Sequence, residues 1–243
     1  MLEQFPKDRI ELPEDYSRIY NEHYLKNRNG HYKSTSLSVK VEGWMHRKVA
    51  ADTHNNNKLC STLEIGAGTL NQLKYEKESK PYDIVEPFRE LFENTEEIRQ
   101  IRTVYNDIGE IDRILKYDRI TSIAVFEHIM DLPVVVARGV LLLRADGCMR
   151  TAIPNEGTII WKMGLKIPAY EFNRTYGLDY KVLMKYEHVN TADEIEEVIR
   201  HFFRKVKCSV LGVSRGLALL RFLEATEPDF EAAEKYLKER KLF

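Results

Sequence analysis

An open α/β sheet, mostly parallel and covered by helices on both faces, is the fold class this sequence predicts, and three observations predict it. First, short apolar runs alternate with amphipathic or charged stretches between Leu59 and Ile153. That rhythm belongs to a parallel sheet with helical crossovers. Second, the first run ends in Glu64-Ile65-Gly66-Ala67-Gly68, a glycine bend where a strand would hand over to a helix. Third, the last two runs, Val206 to Val213 and Leu217 to Glu224, are separated by a Ser-Arg-Gly turn. A link of about three residues is too short for a parallel crossover, so the sheet ends in an antiparallel strand.

The elements follow in order. Tyr16, Tyr20 and Tyr24 recur at a spacing of four and would share one helical face. A polar turn at Asn27 to Gly30 precedes a second helical segment, Ser36 to Ala51, and the polar run Asp52 to Lys58 reads as a loop. Leu59 to Ile65 is the first strand, followed by the glycine turn and a helix near Leu70. Tyr82 to Val85 is the second, followed by a charged helix over Phe88 to Arg99, and Arg102 to Tyr105 is the third. Arg119 to Phe126 is the fourth, with a short helix over Glu127 to Leu132 and a longer one over Val134 to Leu143. The Asp146-Gly147 turn introduces the fifth, Cys148 to Ile153.

After Pro154 the rhythm breaks. Residues 155–190 carry Trp161, Tyr170, Phe172, Tyr176, Tyr180 and Tyr186 among glycines and prolines. Such a long aromatic connection reads as a cap inserted after strand five. Asp193 to Phe203 is an amphipathic helix that Thr191 or Asp193 could cap, and Glu231 to Lys241 is a charged terminal helix. The expected organisation is an N-terminal helical segment over 1–58, a core over 59–226 with its cap at 155–190, and a C-terminal helix over 227–243.

The 243 residues fit one domain, and 43% hydrophobic with 31% charged residues is an ordinary balance for a packed core. Lys and Arg number 37 against 38 Asp and Glu, so no global field points to nucleic acid or to an anionic membrane. The Arg200 to Lys207 cluster is the one local basic patch and reads as a solvated helix end. Nothing approaches the run of about 18 apolar residues that spans a bilayer, and the first residues lack a signal peptide's order. Cys60, Cys148 and Cys208 are odd in number and widely spaced, which suits reduced thiols in a cytoplasmic core.

Glu86 falls twenty positions after Gly66, at the tip of the second strand. Glycines let the backbone approach a ligand closely, and a carboxylate on the next strand tip can accept from two ribose hydroxyls. The residues therefore point to an adenosine-containing cofactor.

Five parallel strands and a closing hairpin, with the motifs LEIGAGTL, YDIVEPF, YNDIGEI, VFEHIMDLP and ADGCMRTAIPNEG, resemble the class I S-adenosylmethionine-dependent methyltransferases over about residues 36–226. VFEHIMDLP resembles the branch that methylates small molecules, lipids and sugars. The resemblance implies a Rossmann-like methyltransferase fold with a seven-stranded sheet, and S-adenosylmethionine as cofactor with S-adenosylhomocysteine as product. It implies Glu64, Gly66, Ala67 and Gly68 at the cofactor's glycine loop, Glu86 with Pro87 at the ribose, and Asp107 at the adenine amino group. Ile108 would pack on the ring, with Phe126 nearby and Tyr24 in an N-terminal lid. The chain departs from the pattern where Leu70 and Asn71 replace the third glycine. A nicotinamide dinucleotide would use a similar bend, but the closing hairpin favours the methyltransferase.

His128, directly after strand four at the carboxyl edge of the sheet, is the first candidate base for a hydroxyl acceptor. His188, at the end of the cap, is the second. Either could instead be structural, the first packing the helix start and the second lying on the surface. Glu127-His128-x-x-Asp131 lacks a third ligand in sequence, so no metal is expected. Trp161, Tyr170 and Tyr176 could stack on a sugar or planar acceptor, or form a packed cap or a homodimer contact. The expected activity is methyl transfer to a small-molecule acceptor, with a saccharide or sugar nucleotide first. The alternative is a non-catalytic scaffold of the same fold that binds the cofactor and another protein.

Overall fold

The computed structural model describes residues 2–20, 36–55, 60–77, 81–156, 158, 161 and 166–243. Seven strands form one sheet: β1 Thr62–Ile65, β2 Tyr82–Val85, β3 Thr103–Tyr105, β4 Tyr117–Ile123, β5 Leu143–Pro154, β6 Phe203–Ser214 and β7 Leu217–Pro228. Their order is β3-β2-β1-β4-β5-β7-β6. The first five are parallel to one another, and β7 inserts antiparallel between β5 and β6 with Ala152 opposite Phe222 and Val210 opposite Arg221. The sheet class and its antiparallel closing pair are therefore as the sequence predicts. The helices are α1 Ser36–Asn55, α2 Leu132–Leu142, α3 Lys166–Tyr176, α4 Tyr180–Glu187, α5 Ala192–Phe202 and α6 Phe230–Glu239, with a further helical stretch over 14–20.

The two faces of the sheet differ in chemistry, because side chains alternate along each strand. Leu63, Ile65, Ile120, Met149, Ile153, Leu223 and Ala225 meet Val136 and Val140 of α2, Ile195, Val198 and Phe202 of α5, and Leu237 of α6 in the main core. The opposite face carries Glu64, Arg119, Arg150 and Glu224 beside Ala152 and Phe222 and is covered by α1, whose Val49 packs on the last two. Arg119, 1% exposed, pairs with Glu76 at 2.7 Å and Asp52 at 3.1 Å and donates to the Val49 carbonyl at 3.1 Å. Arg150 pairs with Glu224, lies 3.3 Å from Asp52, and donates to the Lys48 and Val49 carbonyls at 2.8 and 2.9 Å. Buried guanidiniums need such partners.

That network explains one departure from expectation. The polar run from Asp52 does not begin a loop: the helix continues to Asn55, and Asp52 pairs with the buried Arg119 and Arg150. A second departure lies in the crossovers. The helix expected near Leu70 is a 3-10 turn, Asn71–Lys74. The helix expected over Phe88 to Arg99 is two 3-10 turns, Arg89–Leu91 and Glu96–Gln100. Between the latter the Thr95 hydroxyl donates to the Phe92 carbonyl at 2.8 Å, a local bond that competes with helix continuation. The Glu127 to Leu132 helix likewise reduces to a 3-10 turn over Phe126–His128. Strand β5 begins earlier than expected because Asp146-Gly147 lies in a bulge: Leu143 faces Tyr117 while Cys148 faces Arg119. Thr191, not Asp193, caps α5, in a reciprocal capping box with Glu194.

The N-terminal segment and the cap share a small core of their own. Tyr16, Phe172 and Leu183 are buried there, with Tyr20, Tyr176 and Tyr180 packed against them. The Tyr16 hydroxyl donates to the Asp179 carbonyl at 3.0 Å. No helix among the described residues is long and apolar enough to cross a membrane.

Candidate active site

The carboxyl ends of β1, β2 and β4 meet at the glycine bend. Gly66 has φ +72°, and its N–H donates to the Val85 carbonyl at 2.8 Å. A Cβ built there would lie 2.4 Å from Val125 Cγ2, so the position requires glycine on two grounds, conformation and space. Gly68, also left-handed at φ +53°, donates its N–H to Glu86 Oε2 at 2.8 Å. Ala67 packs with Leu70 and Leu73. Leu70, at the place of the missing third glycine, itself adopts φ +60° and is fully buried. A non-glycine residue in that region costs about 1–2 kcal/mol, which burial of the side chain offsets.

Glu86 is 3% exposed, and its second oxygen accepts from the Phe88 N–H at 3.1 Å. Each carboxylate oxygen has a further lone pair, so it can still accept from hydroxyls. Pro87, beside it, is exposed. Glu64 is buried on β1 and accepts from the Tyr82 hydroxyl at 2.7 Å. Burial pushes its carboxyl up to about 8, against the Tyr82 hydrogen bond, so it is protonated at neutral pH.

Asp107 is solvent-exposed, accepts from the Gly109 N–H at 2.7 Å and lies 3.4 Å from Arg138. Ile108 and Phe126 are buried in the main core. Tyr24 lies outside the described residues, whereas Tyr20 stands edge-on to Tyr186 at 5.2 Å.

His128 and His188, sixty residues apart, are brought into contact, with ring centroids 4.7 Å apart and planes at 82°. Asn190 joins the two segments. Its amide donates to the Phe126 and Ile129 carbonyls at 2.8 and 2.7 Å, and the N–H groups of Val189 and Asn190 donate to the Glu127 carbonyl at 2.8 and 3.1 Å. His128 Nδ1 lies 2.8 Å from the Glu187 carbonyl, so that nitrogen is the protonated one and Nε2 is directed toward Glu127 Oε1, 3.9 Å away. His188 bonds through Nδ1 to Glu156, and burial followed by the neighbouring His128 pushes it down to about 3, so it is a neutral imidazole. Trp161 lies over His188, with centroids 6.5 Å apart. Ligand atoms of Glu127, His128 and His188 all lie within 4.8 Å of one another.

Sequence spacing does not reveal Asn190, Glu156 or Tyr82, since each acts through a partner far along the chain. Asn190 carries the one available signal, a buriable amide directly before a capping threonine.

No protein-family model matches the chain, and no curated protein sequence does. Solved structures do. One is a Burkholderia thailandensis 1,6-didemethyltoxoflavin-N1-methyltransferase with bound 1,6-didemethyltoxoflavin and S-adenosylhomocysteine, 14% identical with a TM-score of 0.58 over 92% of this chain and 93% of that one. Another is the N-methyltransferase NodS from Bradyrhizobium japonicum with S-adenosylhomocysteine, 12% identical with a TM-score of 0.58 over 89% and 100%. A third is the plantazolicin methyltransferase BpumL with a monoazolic desmethylPZN analog and S-adenosylhomocysteine, 13% identical with a TM-score of 0.61 over 88% and 93%. The strand order, the glycine bend after β1 and these likenesses agree: the chain has the fold of the class I S-adenosylmethionine-dependent methyltransferases.

Proposed function

We propose that the chain is an S-adenosylmethionine-dependent methyltransferase acting on a small-molecule acceptor, with a saccharide or sugar nucleotide as first candidate. The observation that carries this reading is the Gly68 N–H donated to Glu86 at 2.8 Å, which holds a close-approach backbone and a carboxylate that would accept from the ribose together on one sheet edge. The similar structures with S-adenosylhomocysteine bound support the choice of cofactor. Glu64, Gly66, Ala67 and Gly68 would border the methionine end, Glu86 and Pro87 the ribose, and Asp107, Ile108 and Phe126 the adenine side. Tyr24 would belong to a lid formed by the N-terminal segment.

The cofactor supplies an activated methyl group on a sulfonium, which leaves as the neutral thioether. The protein's part is orientation and proton removal. Orientation in line with the methyl carbon accounts for a large share of the rate. His128, with Nδ1–H fixed on the Glu187 carbonyl, presents Nε2 to take the acceptor's proton, and neutral His188 stands beside it. Trp161 offers a flat apolar face to a sugar ring.

Calorimetry with S-adenosylmethionine and S-adenosylhomocysteine tests cofactor binding. Release of S-adenosylhomocysteine over panels of saccharides, sugar nucleotides and planar heterocycles tests turnover. Binding of a nicotinamide dinucleotide in place of both sulfur compounds would overturn the reading, and binding without turnover on any acceptor would leave a scaffold.

A further inference from the structure

We propose that Glu127, His128 and His188 form a binding site for one divalent transition-metal ion. The sequence hides this set, because the third ligand arrives from the far end of the cap. The structure gathers ligand atoms of all three within 4.8 Å of one another. Coordination bonds of about 2.0–2.2 Å hold neighbouring ligand atoms roughly 3–3.5 Å apart, so small side-chain rotations close the set around an ion.

The surroundings are those of a built site. His128 gives its Nδ1–H to the Glu187 carbonyl at 2.8 Å, and His188 bonds to Glu156 through Nδ1. Each outer bond fixes a ring and a tautomer and places the coordinating lone pair on Nε2, the arrangement that typically backs metal-bound histidine. The Asn190 hydrogen bonds to Phe126 and Ile129 lock the two ligand-bearing segments in register. Glu127 is 2% exposed, so little water competes for its carboxyl oxygens. Two imidazoles and one carboxyl group suit Zn²⁺, Co²⁺, Fe²⁺ or Mn²⁺ better than Mg²⁺ or Ca²⁺, which prefer all-oxygen shells.

The position gives the ion a task. Val125, two residues before Glu127, lies against the glycine bend, so the cluster shares the edge where the methyl donor would end. An acceptor hydroxyl in an open coordination position becomes more acidic. With the ion bound, His128 Nε2 is a ligand in place of a base, so the proton passes to solvent; the oxygen pair attacks the methyl carbon, and the carbon–sulfur pair remains on sulfur. This task rests on the methyltransferase reading; the binding does not.

The test uses tag-free full-length protein stripped with chelator and titrated calorimetrically with Zn²⁺, Co²⁺ and Mn²⁺. The same samples are titrated with S-adenosylhomocysteine. One equivalent should bind, and His188→Ala and Glu127→Gln should each weaken it about 100-fold while leaving the far-ultraviolet circular dichroism unchanged. Cobalt on wild-type protein should give intense visible bands of a low-coordinate site, a readout that needs no variant. Weak octahedral bands, or equal metal affinity in wild type and a His128→Ala/His188→Ala variant, would overturn the site. Metal binding without S-adenosylhomocysteine binding would refute the methyltransferase reading and leave the metal site standing.

Discussion

Replacing Glu86 by alanine should injure the protein in two separable ways. The carboxylate accepts from the Gly68 N–H at 2.8 Å and the Phe88 N–H at 3.1 Å and is 3% exposed. Hydrogen bonds to a charged group contribute about 1.5–3 kcal/mol each, so losing both costs roughly 3–6 kcal/mol. That is a large part of the 5–15 kcal/mol typical of a whole domain, although water reaching the vacated space would reduce it. Glu86→Gln keeps one acceptor oxygen but turns an amide NH₂ toward the other donor, so it should lose about half as much. Independently, the ribose loses its partner, and the folded protein should bind S-adenosylhomocysteine about 1–3 kcal/mol more weakly, or roughly 5- to 150-fold. Urea unfolding measures the first effect, and calorimetry well below the unfolding midpoint measures the second. A Glu86→Ala protein of wild-type stability and wild-type affinity would refute both roles.

Other consequences are as direct. Gly66→Ala should destabilise by about 2–4 kcal/mol, combining left-handed strain with the collision against Val125. Adding Val125→Ala should recover only the collision, which paired denaturation curves would show. Glu64, pushed up to about 8 by burial, holds a proton in the folded chain that the unfolded chain releases near its ordinary 4.5. Its contribution is therefore fully present below pH 4.5 and is lost as pH rises through about 8. Glu64→Gln, which still accepts from Tyr82, should flatten that decline, on the order of a few kcal/mol, in denaturation midpoints followed from pH 5 to 8. Asn190→Ala removes two buried bonds and should cost about 2–3 kcal/mol. It should also loosen the histidine pair, read as a change in the two imidazole resonances by NMR.

Much of the scaffold was legible in the chain, because parallel strands buried on both faces announce themselves as short apolar runs and the Ser-Arg-Gly turn forces an antiparallel close. The bend at Gly66 and the acid at Glu86 were legible for the same local reason, each sitting where a strand ends. What escaped was non-local. The run from Asp52 looks like a loop until Arg119 and Arg150 arrive from β4 and β5 to meet Asp52. Short crossovers become 3-10 turns where side chains such as Thr95 offer the backbone another partner. His128 could be ranked alone, but its neighbour His188 is delivered by Asn190 over a distance no spacing rule covers.

The two arginines that grip the carbonyls of Lys48 and Val49 determine where this chain can be shortened. Peeling α1 off the sheet would take Asp52 and the Lys48 and Val49 carbonyls away from both guanidiniums, so that helix is a keel and cannot serve as a gate. Cuts past Asp52 remove that grip and should send the chain into inclusion bodies.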